Sequence, residues 1–179
     1  MTVSGTDGKE RRVLLRIPGY VTGAALTLNG NVIRPAVEKG YACVRRAFAE
    51  GDELEITFEM KSTFMRANDE VRADAGRVAL VRGPLVYCLE QADNGENLGQ
   101  LVVDAQSPIE EIYDEDLLGG TMLLRCRGWR TGRGAGGDEL YSSAPAKAAG
   151  KVLTFVPYPY WGNRGEGEMI VWVREALKF

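Results

Sequence analysis

None of the 179 residues of this chain is a histidine, and this absence limits the chemistry that the chain can perform. This absence excludes Ser-His-Asp and Cys-His nucleophile arrangements, HExxH zinc sites and a histidine general base. The three cysteines, Cys43, Cys88 and Cys126, lie far apart and form no CxxC pair. Because this number and spacing fit neither a disulfide framework nor a metal knuckle, we expect them to be buried apolar side chains.

The most suggestive local group of aromatic and polar side chains follows Pro157. Its members are Tyr158, Tyr160, Trp161, Asn163 and Arg164. Flat aromatic rings stack on the C–H faces of sugars, while amide and guanidinium groups hydrogen-bond to sugar hydroxyls. The group is therefore a candidate carbohydrate-binding site. Two other interpretations remain open, in which the rings fill a core or dock onto another part of a larger protein.

A pair of carboxylates is the other candidate for a chemical role, because a glycoside hydrolase needs two of them about 5 to 9.5 Å apart. Glu90 and Asp93, which follow an apolar run, are the best-placed pair in this sequence. A carboxylate at the end of a strand is more often solvated or paired with an arginine, so we assign no catalytic residue. The acidic run 110–116 lacks the pattern of a calcium loop, and we assign no metal ligand.

One segment interleaves basic and aromatic residues: Trp129 lies among Arg125, Arg127, Arg130 and Arg133. The whole chain carries 22 Lys and Arg against 25 Asp and Glu, a net charge of -3. A polyanion site is conceivable at this segment. We expect instead a solvated edge where a strand meets a loop, and no nucleic-acid partner.

Alternation with a period of two residues dominates the chain and predicts strands. In segment 54–60, Leu54, Ile56 and Phe58 fall on one face and polar side chains on the other. Asn29-Gly30, between two apolar runs, predicts a hairpin with a type I′ turn. Further strands are predicted at 12–17, 41–46, 77–81, 85–90, 101–104, 122–127, 152–156 and 169–174. Only segment 112–118 could form one or two helical turns.

These patterns predict an all-β fold, an antiparallel β-sandwich, with two small sandwiches in tandem. The loop at 93–97 divides the chain into one sandwich at 1–92 and a second at 93–179, and a glycine-rich run at 128–138 predicts another loop. Residues before Arg12 carry few strand signals, so we expect the first sandwich to lack an upstream strand. The apolar runs are far shorter than the roughly 20 residues that cross a membrane. Without a recognisable secretory signal, the sequence favours a cytoplasmic protein.

Several motifs occur in an order that points to a family. They are Leu15-Arg16-Ile17-Pro18-Gly19-Tyr20, Asn29-Gly30, Gly40-Tyr41, Gly51-Asp52, the run RVALVRGPLVYCLE at 77–90, and residues 157–165 with Glu168-Met169. In this order the chain resembles the C-terminal part of glycoside hydrolase family 127, which includes β-L-arabinofuranosidases. The resemblance covers nearly the whole chain. Tyr20 departs from it mildly, since a tryptophan would be commoner there.

The resemblance implies a pair of β-sandwiches that follow a helical (α/α)6 barrel, and it places the family's chemistry in that barrel. The family's cysteine nucleophile, its zinc and its acid/base glutamate map onto no residue here, so Cys88 is not a nucleophile candidate. We therefore expect a non-catalytic accessory region without a cofactor of its own. Its expected partners are the barrel and further copies of the chain. The alternative is a stand-alone module that binds arabinose-containing glycans.

Overall fold

A computed structural model describes residues 1–132 and 140–176 of the chain. It divides the protein into two compact units, Met1–Lys61 and Ser62–Phe179. The boundary predicted between residues 92 and 93 is corrected by this division. The strands on either side of residue 92 belong to one sheet, because the strand at 85–90 pairs with the one at 147–157. None of the helices in the described ranges is long and apolar enough to span a membrane.

The first unit contains six strands. They are β1 (Glu10–Arg16), β2 (Gly23–Leu28), β3 (Asn31–Ile33), β4 (Ala36–Glu38), β5 (Tyr41–Ala47) and β6 (Leu54–Glu59). They form two antiparallel three-stranded sheets, ordered β1-β5-β4 and β3-β2-β6. One apolar cluster draws on both sheets, including Leu26, Val44 and Leu54. The unit therefore has the two-layer arrangement of a small sandwich.

The predicted hairpin at Asn29-Gly30 is confirmed. β2 pairs with β3 from Leu26 opposite Ile33 to Leu28 opposite Asn31. Asn29 and Gly30 have φ of 50° and 77°, both in the left-handed region that a type I′ turn requires at its two central residues. The turn chemistry thus sets the register that puts Leu26 and Leu28 into the core.

The second unit holds nine strands and one short helix among its described residues. They are β7 (Ser62–Met65), β8 (Arg77–Arg82), β9 (Leu85–Glu90), α1 (Gln91–Asn94), β10 (Leu101–Val103), β11 (Glu110–Asp114), β12 (Thr121–Gly132), β13 (Lys147–Pro157), β14 (Met169–Ile170) and β15 (Val173–Glu175). Single 3-10 turns lie at Arg72–Asp74, Leu98–Gln100, Leu117–Gly119 and Tyr158–Tyr160. The all-β prediction is confirmed, with antiparallel pairing throughout except for the parallel pair β10–β15.

The strands of the second unit form one sheet, ordered β14-β9-β13-β12-β10-β15-β8-β7, with β11 added beside β12. β8 also pairs with β9 through Val81 opposite Val86, so the path from β9 to β8 closes into a circuit of six strands. The main apolar cluster includes residues from all six strands of the circuit, among them Leu89, Leu124 and Phe155. This core supports the loops at the ends of β9 and β13.

Two local predictions are corrected. Residues 128–132 extend β12 rather than opening a loop, and residues 133–138 of that predicted loop lie outside the described ranges. A Cβ on Gly128 would lie 2.5 Å from the carbonyl oxygen of Val102 and 2.6 Å from Leu153, so this glycine permits close packing inside a sheet. Segment 112–118, which the sequence allowed to form one or two helical turns at most, contains the end of β11 and only the start of a 3-10 turn.

Candidate functional site

The loop that follows β13 places the predicted aromatic residues on the surface of the second unit. Tyr158, Tyr160 and Trp161 keep 44%, 37% and 44% of their surfaces exposed. Asn163 is also exposed, and its amide donates to the carbonyl of Tyr160 at 2.9 Å. The three rings therefore do not fill the core, while the Asn163 side chain stabilises the turn that carries them.

Arg164, in the same loop, is held by two carboxylates. Its Nε donates to Glu90 Oε2 at 3.1 Å, and its Nη2 contacts the same oxygen. Nη1 and Nη2 bond both oxygens of Asp93, at 2.8 and 2.5 Å. Glu90 is buried, and its other oxygen accepts the Gly162 N–H at 2.8 Å. Hydrogen bonds to Asp93 and Glu90 keep the pKa of the Arg164 guanidinium above its usual range, so a guanidinium that stays protonated fastens the loop to β9 and α1.

A second set of bonds fastens the end of the loop. The carboxylate of Glu168 accepts the backbone N–H groups of Asn97 and Leu98 at 2.8 and 2.7 Å, where a 3-10 turn begins. Glu168 and Gln91 also exchange two hydrogen bonds, at 2.9 and 3.0 Å. A cleft of about 280 Å³ lies beside this loop, with Trp161 and Glu166 in its lining. The cleft is thus bounded by a loop that is held at both ends.

The segment facing this loop is anchored by a buried amide. Asn94 donates to the carbonyls of Glu90 at 3.0 Å and Thr154 at 2.9 Å, and it accepts the Thr154 N–H at 3.1 Å. Its side chain therefore pairs with β13 as a strand residue would. Arg130 donates to the carbonyls of Glu96 and Asn94 at 2.6 and 2.7 Å. Sequence reasoning missed both anchoring roles, since neither has a local motif.

The carboxylates considered for catalysis are both partners of Arg164. This matches the pairing with arginine that the sequence favoured for Glu90 and Asp93. A retaining or inverting glycosidase requires one carboxyl group that exchanges a proton at the sugar. Glu90 is buried, and its two oxygens bond a backbone N–H and the guanidinium of the loop.

The cysteines and carboxylates assemble no metal site in the described ranges, where no three His, Cys, Asp or Glu side chains are grouped to hold an ion. Cys88 and Cys126 are buried, as expected, and burial raises the pKa of each thiol to about 12. Cys43 is only partly buried, and its sulfur accepts a contact from Arg12 at 3.1 Å. These residues do not fit the zinc that the family resemblance places in the barrel.

The basic segment lies in β12, whereas the aromatic loop, residues 158–168, follows β13. The guanidinium carbon of Arg127 lies 5.3 Å from the centroid of the Trp129 ring, and both residues belong to β12. Arg130 donates to the backbone carbonyls of Glu96 and Asn94, and Arg133 lies outside the described ranges. The structure therefore separates two arginine and aromatic groups that appear similar in sequence.

Two family models match consecutive parts of the chain. Residues 62–174 match the glycoside hydrolase family 127 C-terminal domain, and residues 1–60 match the β-L-arabinofuranosidase GH127 middle domain. The chain belongs to glycoside hydrolase family 127. The division between the two models falls at the same place as the division between the two structural units.

Relatives of known activity are similar over nearly all of this family 127 chain. A non-reducing end β-L-arabinofuranosidase of Bifidobacterium longum subsp. longum is 39% identical over 184 residues, covering 97% of the chain. A GH127 β-L-arabinofuranosidase of Geobacillus stearothermophilus T6 is similar in structure, with a TM-score of 0.88 and 41% identity over 98% of the chain. Another GH127 β-arabinofuranosidase superposes with a TM-score of 0.83 and 28% identity over 94% of the chain.

These matches occupy only a small part of each relative. The chain spans 27% of the Bifidobacterium enzyme and 28% of each of the two solved enzymes. Similarity therefore establishes family membership and the identity of the two domains.

Proposed function

We propose that this chain is the non-catalytic accessory region of a β-L-arabinofuranosidase-like glycoside hydrolase, and that it packs against the enzyme's (α/α)6 barrel. One observation carries the proposal: the chain matches only the family's middle and C-terminal domains, a span of 27% of its Bifidobacterium relative. The engagement of Glu90 and Asp93 by Arg164 supports the same role.

The outer face of the sheet β1-β5-β4 is our candidate docking surface for the barrel. Val13 and Leu15 are partly buried and pack against the core, so Leu14 between them lies on the opposite face, where it is 48% exposed. Tyr41 shares that face, since it pairs with Arg16, and it is 41% exposed. Apolar side chains on an open sheet face commonly mark a contact with another domain.

The other sheet of the same unit provides the contrast. On the outer face of β3-β2-β6, Thr27 pairs with Glu55 and with Val32. Apart from Val32, which is 70% exposed, this row is polar. The first unit thus has one outer face suited to docking and one suited to solvent.

A chimera tests the docking proposal. This chain replaces the matching segment of the full-length Bifidobacterium enzyme, with Leu14→Asp as the test variant and Val32→Asp as the matched control. Burying an unpaired carboxylate is costly, so we expect Leu14→Asp to shorten the chimera's thermal half-life of activity about tenfold or more. Val32→Asp should leave it unchanged. Equal effects of the two variants would overturn the proposed docking surface.

The isolated chain supplies two further readouts. It should release no product from an aryl β-L-arabinofuranoside, and measurable release would overturn the accessory assignment. An uncovered docking face also favours self-association, so analytical ultracentrifugation should detect dimers or larger species that Leu14→Asp disperses. A chain that stays monomeric at high concentration would argue against an apolar docking face.

A second candidate function is glycan binding at the aromatic loop, favoured by the exposure of Tyr158, Tyr160 and Trp161, of which Trp161 lines the cleft. Asn163 and Arg164 are engaged within the protein, so stacking on the rings would supply the contact. An arabinan binding screen with Trp161→Ala tests this. Binding that the variant loses, with unchanged thermal stability, supports a glycan site. Absence of binding to every arabinose-containing glycan rejects it.

A further inference from the structure

The outer face of β12 combines arginines with an aromatic ring. Leu124 and Cys126 belong to the core of the second unit. Side chains alternate along a strand, so Arg125, Arg127 and Trp129 lie on the opposite face. Arg125 and Arg127 are two residues apart, which places them about 6.8 Å from each other along the strand.

Neighbouring strands extend this face. Trp129 lies opposite Val102 of β10, Val102 pairs with Arg174 of β15, and Arg174 pairs with Arg77 of β8. Val78 and Val173, the adjacent pair, are both in the core, which confirms that Arg77 and Arg174 face outward. The row from Arg77 to Trp129 crosses three strand spacings, roughly 14 Å.

Among the described residues, the four arginines of this face have no acidic ion-pair partner. Within the described ranges, no ion pair of 4.0 Å or less involves Arg77, Arg125, Arg127 or Arg174. By contrast, Arg66, Arg82 and Arg164 of the same unit each pair with a glutamate. The bonds of Arg77 and Arg174 go to neutral acceptors, the carbonyl of Trp172 and the hydroxyl of Thr131.

Two acids, Glu110 and Asp104, border the face. Glu110 lies opposite Arg125 in the ladder, yet forms no ion pair with it. Asp104 follows β10, and its N–H donates to the carbonyl of Arg127. Its carboxylate is buried and engaged, with Oδ1 accepting the Gln106 N–H at 3.2 Å. The local excess of positive charge stands in a chain whose net charge is -3.

The ring of Trp129 lies opposite a residue without a side chain. Its partner on β13 is Gly150, and none of the described residues lies within 4 Å of where a Cβ on Gly150 would be. Arg127 stacks near the ring at 5.3 Å, an arrangement that orients its guanidinium. A planar ring beside oriented guanidinium groups suits a ligand that carries both a sugar ring and carboxylates.

We propose that this face, defined by Arg77, Arg125, Arg127, Trp129 and Arg174, binds an acidic polysaccharide whose sugar rings bear carboxylates, a polyuronate. Guanidinium forks bind carboxylates with two parallel hydrogen bonds, and the indole stacks on the C–H face of a pyranose ring. The proposal does not depend on the docking surface, which lies in the other unit. It assigns the second unit a role in holding the enzyme on charged glycans.

Other anions fit this face less well. An acidic peptide that binds by strand addition needs a sheet edge, whereas this surface is the middle of a sheet. Proteins that bind single-stranded nucleic acid stack successive bases on several rings, and Trp129 is the ring that the described part of this face provides. A polyuronate needs one stacking position and regularly spaced cations.

The test measures binding of the 179-residue chain to polygalacturonate by affinity electrophoresis and calorimetry. Fully methyl-esterified polygalacturonate controls for charge, because it keeps the sugar backbone. We expect the chain to bind the free acid and not the ester. The double variant Arg127→Gln/Arg174→Gln should weaken binding about tenfold or more. The control Arg11→Gln/Arg45→Gln, with the same charge change at surface ion pairs of the first unit, should weaken it less than about twofold.

Several outcomes would overturn the proposal. Absence of binding to polygalacturonate, or equal binding to the ester, would remove the polyuronate as ligand. Equal binding to polyglutamate or to single-stranded DNA would show general anion attraction. Equal losses in both double variants would show that net charge, rather than this face, governs binding. Melting temperatures of the variants confirm that each loss occurs in folded protein.

Discussion

Two surfaces of the second unit join arginine to aromatic rings, and they use the arginine differently. In the loop after β13, Arg164 is bound to Glu90 and Asp93, and the neighbouring rings are left exposed. On the outer face of β12, Arg127 contacts the Trp129 ring and no carboxylate in the described ranges. The comparison teaches that composition alone does not separate an arginine that holds a loop from one that is available to a ligand. The acidic partner makes the difference.

The strongest way to sharpen this comparison is Arg164→Ala. The variant leaves the buried Glu90 carboxylate without its guanidinium, so we expect a loss of about 3 kcal/mol in the free energy of unfolding. Urea denaturation followed by far-UV circular dichroism measures it. A loss below about 0.5 kcal/mol would mean that Arg164 is as dispensable for folding as a solvated surface arginine.

An engaged pair elsewhere in the unit should respond to acid. Burial alone would raise the pKa of Glu111, but hydrogen bonds from Ser62 at 2.7 Å and Arg82 at 2.8 Å outweigh it, and the pKa is lowered. The stability this provides is present above the ordinary value of 4.5 and is lost as pH falls through the lower folded-state pKa. Stability measured between pH 6 and pH 3 should therefore fall less in Glu111→Gln than in the parent.

The adjacent Glu110 supplies the control for that titration, because it is exposed and forms no ion pair in the described ranges. Glu110→Gln should leave the acid dependence of stability as it is. If both variants flatten the pH profile equally, general charge repulsion rather than the bonds to Glu111 causes the acid sensitivity.

The contrast between partnered and unpartnered polar groups extends into the core. Tyr87 is fully buried, and its hydroxyl has no hydrogen-bond partner among the described residues. Removing an unsatisfied buried hydroxyl ends its desolvation cost, so Tyr87→Phe should raise the free energy of unfolding by about 1 kcal/mol. Thermal and urea unfolding test this. A loss of stability instead would mean that the hydroxyl has a partner in solution.

The smallest expected effect on stability is that of replacing an arginine on the outer face of β12 and its neighbouring strands. Arg174→Ala removes a bond to the Thr131 hydroxyl on an exposed face, so its effect on the free energy of unfolding should stay within about 0.5 kcal/mol. The same denaturation experiment as for Arg164→Ala gives the direct comparison. A loss approaching that of Arg164→Ala would break the distinction between the two surfaces.

Much of the fold could be predicted from local pattern. Alternation located β6, and Asn29-Gly30 located the β2–β3 turn, because strand period and turn chemistry act over a few residues. The boundary after Lys61 could not be found this way, since it depends on the distant pairing of β9 with β13. The loop predicted from Gly128 onward was wrong for a related reason. The glycine allows a close approach to Val102 on another strand, which the local sequence does not show.

The sequence could predict the aromatic rings of the candidate site but not the hydrogen bonds that hold its loop. Tyr158, Tyr160 and Trp161 lie together in sequence, so a local cluster revealed them. Arg164 finds its partners more than 70 residues earlier, at Glu90 and Asp93. No local signal marks such a pairing, because it exists only after β9, β13 and β14 have assembled side by side.

The closed circuit of strands also sets an order of events during synthesis. The six strands described in the first unit have all been made once residue 59 has been added to the chain. The second cannot join β8 to β15 until Val173, opposite Val78, has emerged from the ribosome. Long-range closure of this kind slows folding, and until then the edges of β8 and β10 that pair with β15 remain open. The first unit is therefore expected to fold while the second is still an open sheet awaiting β15.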